Sequence, residues 1–281
     1  MKIPFLFFAL VMTTLSASSQ GLHVDLFAGT SNYQGDLQAK RFTFNQAHFA
    51  GGIGLSYDIS KHFALRSGFK IGKISGNDKY GRNSARNLNF SSKLTEGEID
   101  LQYFITPLGA HSLTPYAFAG LALYHFDPYT FDSTGTKYYL RSLSTEGEGF
   151  VSGRKMYSLT QIGIPFGAGV KFALSDNLNV GLEVGMRKLF TDYLDDVSTT
   201  FVDKNLLFAN RGAKAIELSY RGDELKNGSL VYPVAGTQRG NPGSKDWYYF
   251  TGITLSFRLG NGLVGTGNGK YAEWDCPKKV L

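Results

Sequence analysis

Apolar and polar residues alternate with a period of two through most of this chain. In residues 179–190 one face carries Val180, Leu182, Val184, Met186 and Phe190, and the other carries Gly181, Glu183, Gly185 and Arg187. Successive side chains of an extended backbone point to opposite sides, so the pattern predicts a strand with one apolar and one polar face. The same alternation runs through residues 22–29 (Leu22, Val24 and Leu26 against His23, Asp25 and Gly29) and 48–59 (Phe49, Ile53, Leu55, Tyr57 and Ile59 against Gly52, Gly54, Ser56 and Asp58). It recurs at 63–74, 94–105, 161–174 and 248–259, while 115–126 alternates aromatic with aliphatic residues. That makes eight strands, each near the about 9 to 11 residues that a tilted membrane strand needs. No sustained helical period accompanies them. Past residue 20 no apolar run approaches the roughly 20 residues of a membrane helix.

The connections separate a membrane barrel from a soluble sandwich. Short links at 60–61, 106–113 and 175–177 alternate with long ones at 30–47, 75–93, 127–160 and 191–247. Long loops at one end and short turns at the other are the pattern of outer-membrane barrels, with the short turns periplasmic; a sandwich has no reason to sort its loops by length. The expected fold is therefore all-β: an eight-stranded antiparallel transmembrane barrel of the outer-membrane type, with long extracellular loops.

Eight strands enclose an interior just wide enough for side chains. The polar face supplies five acids, Asp25, Glu96, Glu98, Asp100 and Glu183, and five bases, Arg66, Lys70, Lys171, Arg187 and Arg258. A charge shut away from water must be paired, so these ten residues predict an ionic plug, with a proton or ion path as the alternative. Aromatic residues are expected outward or near strand ends, where lipid and its interfaces lie.

Composition supports this picture. Of 281 residues 34 are Gly, 42% are hydrophobic, 14% aromatic and only 19% charged, which excludes a disordered, charge-driven chain. The net charge of +6 comes from scattered Lys and Arg, so no nucleic-acid footprint is read. Residues 1–19 read as a signal peptide: Lys2, an apolar run from Ile3 to Met12, then small residues at 17–19. Domain organisation follows as signal peptide 1–19, barrel 20–259 and periplasmic tail 260–281. Cys276 is the single cysteine, so it cannot form an intrachain disulfide; an intermolecular bridge or a free thiol remains.

Candidate chemistry is sparse. The Gly260–Gly265 segment matches G-x-G-x-x-G but continues into more Gly, which reads as a linker rather than a nucleotide loop. Asp192, Asp195 and Asp196 cluster in one loop. They read as caps of local turns, with Ca²⁺ binding or acid–base work in a membrane hydrolase as the sharper alternatives. His23, His48, His62, His111 and His125 are dispersed, and no nucleophile elbow surrounds any Ser. No enzyme, metal or cofactor is expected. A surface-binding role for the fourth long loop is a further alternative.

The chain resembles a known family at Asn32-Tyr33, Gly35-Asp36-Leu37, the Thr145–Gly147 segment, Ile164–Gly167, the run from Phe190 to Ser198, and Cys276-Pro277. Together these look like the Bacteroidota outer-membrane barrels related to PorG, a component of type IX protein secretion. The resemblance implies a non-enzymatic barrel exported to the outer membrane, set in lipid and lipopolysaccharide. It further implies contact with a periplasmic ring built from a lipoprotein and a soluble partner, with Cys276 as the contact position.

Overall fold

The computed structural model describes residues 21–259 apart from 39, 41, 42, 44, 82 and 109–111. The expected signal peptide 1–19, the expected tail 260–281 with its Gly-rich segment, Cys276 and His111 therefore lie outside the described residues.

Among the described residues nine strands form: β1 (Leu22–Gln34), β2 (His48–Asp58), β3 (Phe63–Asn77), β4 (Asn89–Phe104), β5 (Leu113–Phe131), β6 (Lys137–Tyr139), β7 (Thr160–Ser175), β8 (Leu178–Leu189) and β9 (Trp247–Leu259). All but β6 join an antiparallel sheet that closes on itself in the order β1-β2-β3-β4-β5-β7-β8-β9, with β9 paired back to β1 through thirteen residue pairs from Leu22–Leu259 to Gln34–Trp247. β6 is a short flap on the end of β5. The chain is an eight-stranded antiparallel barrel in which each strand is paired on both sides over most of its length, so closure satisfies most of the strands' backbone groups within the sheet.

Links of a few residues join β2 to β3, β4 to β5 and β7 to β8 at one end, and the four long loops gather at the other. Several strands outrun the alternating segments of the sequence: β1 reaches Gln34, β3 reaches Asn77, β4 begins at Asn89 and β5 extends to Phe131. The extensions lie at the long-loop end, where the outward face turns polar (Ser75, Ser91, Asp127) and the simple apolar pattern stops. The fourth long loop holds two short helices, α1 (Lys204–Arg211) and α2 (Ala213–Ser219). Asp203 caps α1 by accepting from the amides of Asn205 (3.0 Å) and Leu206 (2.9 Å), and Gly212, at φ +80°, breaks it from α2.

Every barrel strand presents exposed apolar side chains outward, among them Leu26, Ile53, Leu65, Ile99, Leu121, Ile162, Leu182 and Ile253. A belt this continuous far exceeds what a water-soluble surface tolerates, and a bilayer is the solvent that suits it.

Inside, side chains stack in layers. Ala64, Phe104, Tyr116 and Phe118 pack near the short-turn end, and a larger cluster including Phe27, Tyr33, Phe90, Tyr124, Phe126, Tyr248 and Phe250 fills the long-loop end. For mid-strand rings such as Phe118 and Tyr124 this corrects the expectation that aromatics lie outward or near strand ends. On β5 the aromatic stripe Tyr116, Phe118, Tyr124 and Phe126 faces in, while Leu121 and Leu123 face lipid. Large flat rings fill the narrow lumen that small aliphatics would leave void.

Gly29 and Gly252 lie opposite each other across β1 and β9. A Cβ on Gly252 would stand 2.4 Å from the Ala28 carbonyl oxygen and 2.6 Å from the Gly29 Cα, so only glycine permits this approach. Gly252→Val should destabilise the barrel by at least about 1–3 kcal/mol, read as a lower urea midpoint and loss of heat-modifiable migration on gels. A wild-type midpoint would contradict the packing described.

Candidate functional site

The centre of the lumen is a charged layer built from β3, β4 and β8. Arg66 and Asp100 are cross-strand neighbours, and the Arg66 Nε donates to Asp100 Oδ2 at 2.9 Å. Its Nη1 crosses the lumen to Glu183 Oε2 on β8 at 2.5 Å. Lys70 donates to Glu98 and lies 3.6 Å from Glu183. Arg187, fully buried, reaches back from β8 to β4: Nε and Nη2 bind Glu96 at 2.7 to 3.1 Å, Nη2 also binds Glu98 at 2.7 Å, and Nη1 donates to the Gly185 carbonyl. Planar guanidinium forks suit this duty, because each can hold two carboxylates at once.

Three cations, Arg66, Lys70 and Arg187, thus face four carboxylates, Glu96, Glu98, Asp100 and Glu183. Phenols help to solvate the surplus negative charge: Tyr116 donates to Glu183 at 2.7 Å and Tyr248 donates to Glu96. Aromatic faces cover the cations, with Arg66 4.8 Å from the Phe118 ring centre and Arg187 4.7 Å from that of Phe250.

The other three inner charges named from sequence stand apart from this layer. Asp25 accepts from Ser256. Lys171 donates to Gln102 at 2.9 Å and lies over Phe104 and Tyr116. Arg258 approaches Asp58 at 3.7 Å, and His23 also meets Asp58, at 3.0 Å. Asp58 and His23 share the inner-face parity in the sequence, so their place was readable there. Tyr116 and Tyr248 were not, because alternation marks a face without saying which phenol meets which acid. Within this packed lumen a void of about 20 Å³ is lined by Asp25, Arg66, Lys70, Glu98 and Glu183. That is room for about one water molecule.

Above the aromatic core the loop motifs converge. Asp195 accepts from the Tyr33 hydroxyl at 2.5 Å and caps its own turn through the Val197 amide. Asp196, at φ +66°, accepts from Thr145 and from Tyr157 at 2.5 and 2.6 Å. Asp192 accepts from Ser198 at 2.8 Å. All three are buried. Residues that sequence gave no role hold them in place. Glu146 accepts from the Ser198 and Thr199 amides and from Arg239 at 3.0 Å, and Arg239 also donates to the Asp196 carbonyl. Arg86 grips Asp78 with two bonds of 2.7 Å, and Asp246 accepts from the Leu194 amide. Glu146 had a signal, an acid flanked by turn-forming glycine; Arg239, 93 residues downstream in an unpatterned loop, had none. Among the described residues no group of three or more His, Cys, Asp or Glu is placed to hold a metal.

Carboxylates outnumber cations in this cap, and burial sets their titration. Burial, the leading cause throughout, pushes Asp192 up to about 7, Glu148 up to about 8 and Asp196 up to about 6, and lifts Asp195 and Asp246 well above the carboxylate range. Neighbouring acids add to the rise at each, such as Asp196 beside Glu148. These groups hold a proton in the folded cap that the unfolded chain, titrating near about 4, has already lost. Their contribution is fully present at low pH and is lost as pH rises through about 7 and 8. Amides of residues 191–198 should therefore exchange with solvent markedly faster at pH 9 than intrinsic chemistry explains, relative to pH 5; unchanged protection would refute the cap's proton dependence.

Removing one partner of the lumen layer leaves stranded charge. Arg187→Gln should lower stability by about 3–5 kcal/mol in urea titrations, with part regained when Glu96→Gln is added. Additive losses would show that the pair does not couple.

The sequence matches the family model DUF6089, a domain of unknown function, over residues 2–214. No curated protein matches it. Among solved structures it is similar to Neisserial surface protein A (NspA), with TM-score 0.42 and 13% identity, covering 85% of this chain and 97% of that one. It is also similar to Ail, the attachment invasion locus protein of Yersinia pestis, in complex with the heparin analogue sucrose octasulfate, with TM-score 0.41 and 7% identity over 85% and 99% of the two chains. The N-terminal barrel domain of Pseudomonas aeruginosa OprF gives 0.36 and 14% over 84% and 97%. The family match spans most of the sequence, and the chain belongs to the DUF6089 family.

Proposed function

We propose that this protein is a sealed, non-enzymatic barrel of the outer membrane that serves as an anchor rather than a pore, its long loops facing outward and its short turns facing the periplasm. The observation that carries this reading is the filled lumen. An ion entering from the loop side meets a hydrogen-bonded cap, then an aromatic core, then a charge layer whose void is about one water in size. The apolar belt supports the membrane setting, and the segregated loop lengths support the orientation. Work done by such a barrel falls to its two ends.

The finer reading rests on resemblance: a component of type IX protein secretion that contacts the periplasmic lipoprotein ring and its soluble partner through the tail 260–281, with Cys276 at the contact. The barrel's last strand ends at Leu259 on the short-turn side, which supports a periplasmic departure point for that tail.

Purified protein in planar bilayers should give no conductance steps, whereas steps of porin size in the wild type would overturn the sealed-anchor reading. For the ring contact, non-reducing electrophoresis of outer membranes should show a higher-mass, reductant-sensitive band that Cys276→Ser abolishes. If the band is absent and cargo secretion survives removal of residues 260–281, the secretion role is wrong.

A further inference from the structure

Two features of the outward face of β3, β4 and β5 stand one above the other. Lys73 and Lys93 are direct cross-strand partners, both on the outward face. Like charges placed opposite each other destabilise a sheet unless something neutralises them. Neither lysine forms an ion pair among the described residues; Asp127 is the direct partner of Lys93 on β5 but makes no ion pair with it, so the row Lys73–Lys93–Asp127 keeps one positive charge in excess. The rows on either side carry hydroxyls, Ser75 opposite Ser91 above and Thr95 below. The apolar belt begins at that lower row with exposed Ile71 and continues through Phe69 and Leu123. The pair therefore sits at the rim of the belt on the long-loop side, at the depth of lipid headgroups.

Directly beneath, the belt is notched. Gly97 follows Lys93 and Thr95 on the outward face of β4, and a Cβ built there would meet nothing within 4 Å. Its cross-strand partners are Phe69 and Leu123; with Ser67 one outward row further down β3 and Ala119 two rows down β5, and Leu65, Ile99 and Leu123 as walls, it lines an apolar groove of about 710 Å³. A strand position facing hydrocarbon ordinarily carries a branched or aromatic side chain. Here three small residues, stepping obliquely across three strands, leave a channel under a lysine pair that carries net positive charge.

We propose that this face binds a phosphorylated lipid of the outer leaflet, its phosphate between Lys73 and Lys93 and an acyl chain in the groove over Gly97. The inference rests on the outer-membrane reading and its orientation. Cationic residues at the rim, hydroxyl donors around them and an apolar slot below match such a lipid part by part: anionic headgroup, interfacial oxygens, chain. A free phosphate would use only the first of these, and a neutral lipid only the last.

The test uses the full chain purified in detergent, with binding read by native mass spectrometry against diphosphoryl lipid A, dephosphorylated lipid A and inorganic phosphate. Wild type should retain diphosphoryl lipid A in preference to the dephosphorylated form. The double variant Lys73→Gln, Lys93→Gln should weaken that binding about tenfold or more and erase the preference. Lys188→Gln, at an exposed lysine on β8, should leave it unchanged. Gly97→Leu, whose Cβ meets nothing within 4 Å, should fill the groove and weaken both lipids while the barrel still folds. Heat-modifiable migration and membrane fractionation report separately on the barrel and its membrane location. Wild-type binding by the double variant, equal loss in Lys188→Gln, an unaffected Gly97→Leu, or full displacement by inorganic phosphate would each overturn the proposal.

Discussion

An eight-stranded barrel cannot leave its inside empty, and what fills it must satisfy itself. The lumen is too narrow for bulk water to solvate a charge, yet the inner face carries four carboxylates and three cations in one layer. Their mutual bonding is therefore the condition on which the rest depends. Arg66 and Arg187 each span the lumen, one from β3 to β8 and the other from β8 to β4, so the layer ties opposite walls together as well as neutralising charge. Such a layer need not add net stability over an apolar filling, because desolvation offsets much of the attraction. What it fixes is register: a slip of one residue along any of these strands would turn its charged side chains toward lipid.

Aromatic layers above and below isolate the charges from water, and the cap closes the wider mouth. Its construction repeats the logic of the lumen in another chemistry. Buried carboxylates of three separate loops are held by hydroxyls, amides and two arginines, and their excess negative charge is relieved by keeping protons. The long loops are consequently a folded lid: Tyr33 from the end of β1, Thr145 and Glu146 from the third loop and residues 191–198 from the fourth meet at one place. The family-resembling segments near residues 32–37, 145–147 and 190–198 are neighbours in space because they build this lid.

Outside, the solvent is lipid and the rule reverses. Apolar side chains face out on every strand, and Lys73 opposite Lys93, with the bare Gly97 below them, is a departure from that rule at the rim of the belt.

The strands, their inner faces and the separation of long from short connections were legible in the sequence, because each depends on a local period or a local count. Val180 to Arg187 states its two faces without help from any other segment. The ten inner charges could be named for the same reason. Their partners could not: Arg187 finds Glu96 some ninety residues away, and only closure of the barrel decides that β4 stands across from β8. The inward aromatics of β5 were missed because alternation between Phe and Ala tells which residues share a face but not which face a narrow lumen will claim. Arg239 and Asp246 carried no local pattern at all. Period and composition thus determined a barrel of the membrane type; the tertiary structure alone decided how its lumen is sealed, since sealing depends on contacts across the barrel that no window along the chain contains.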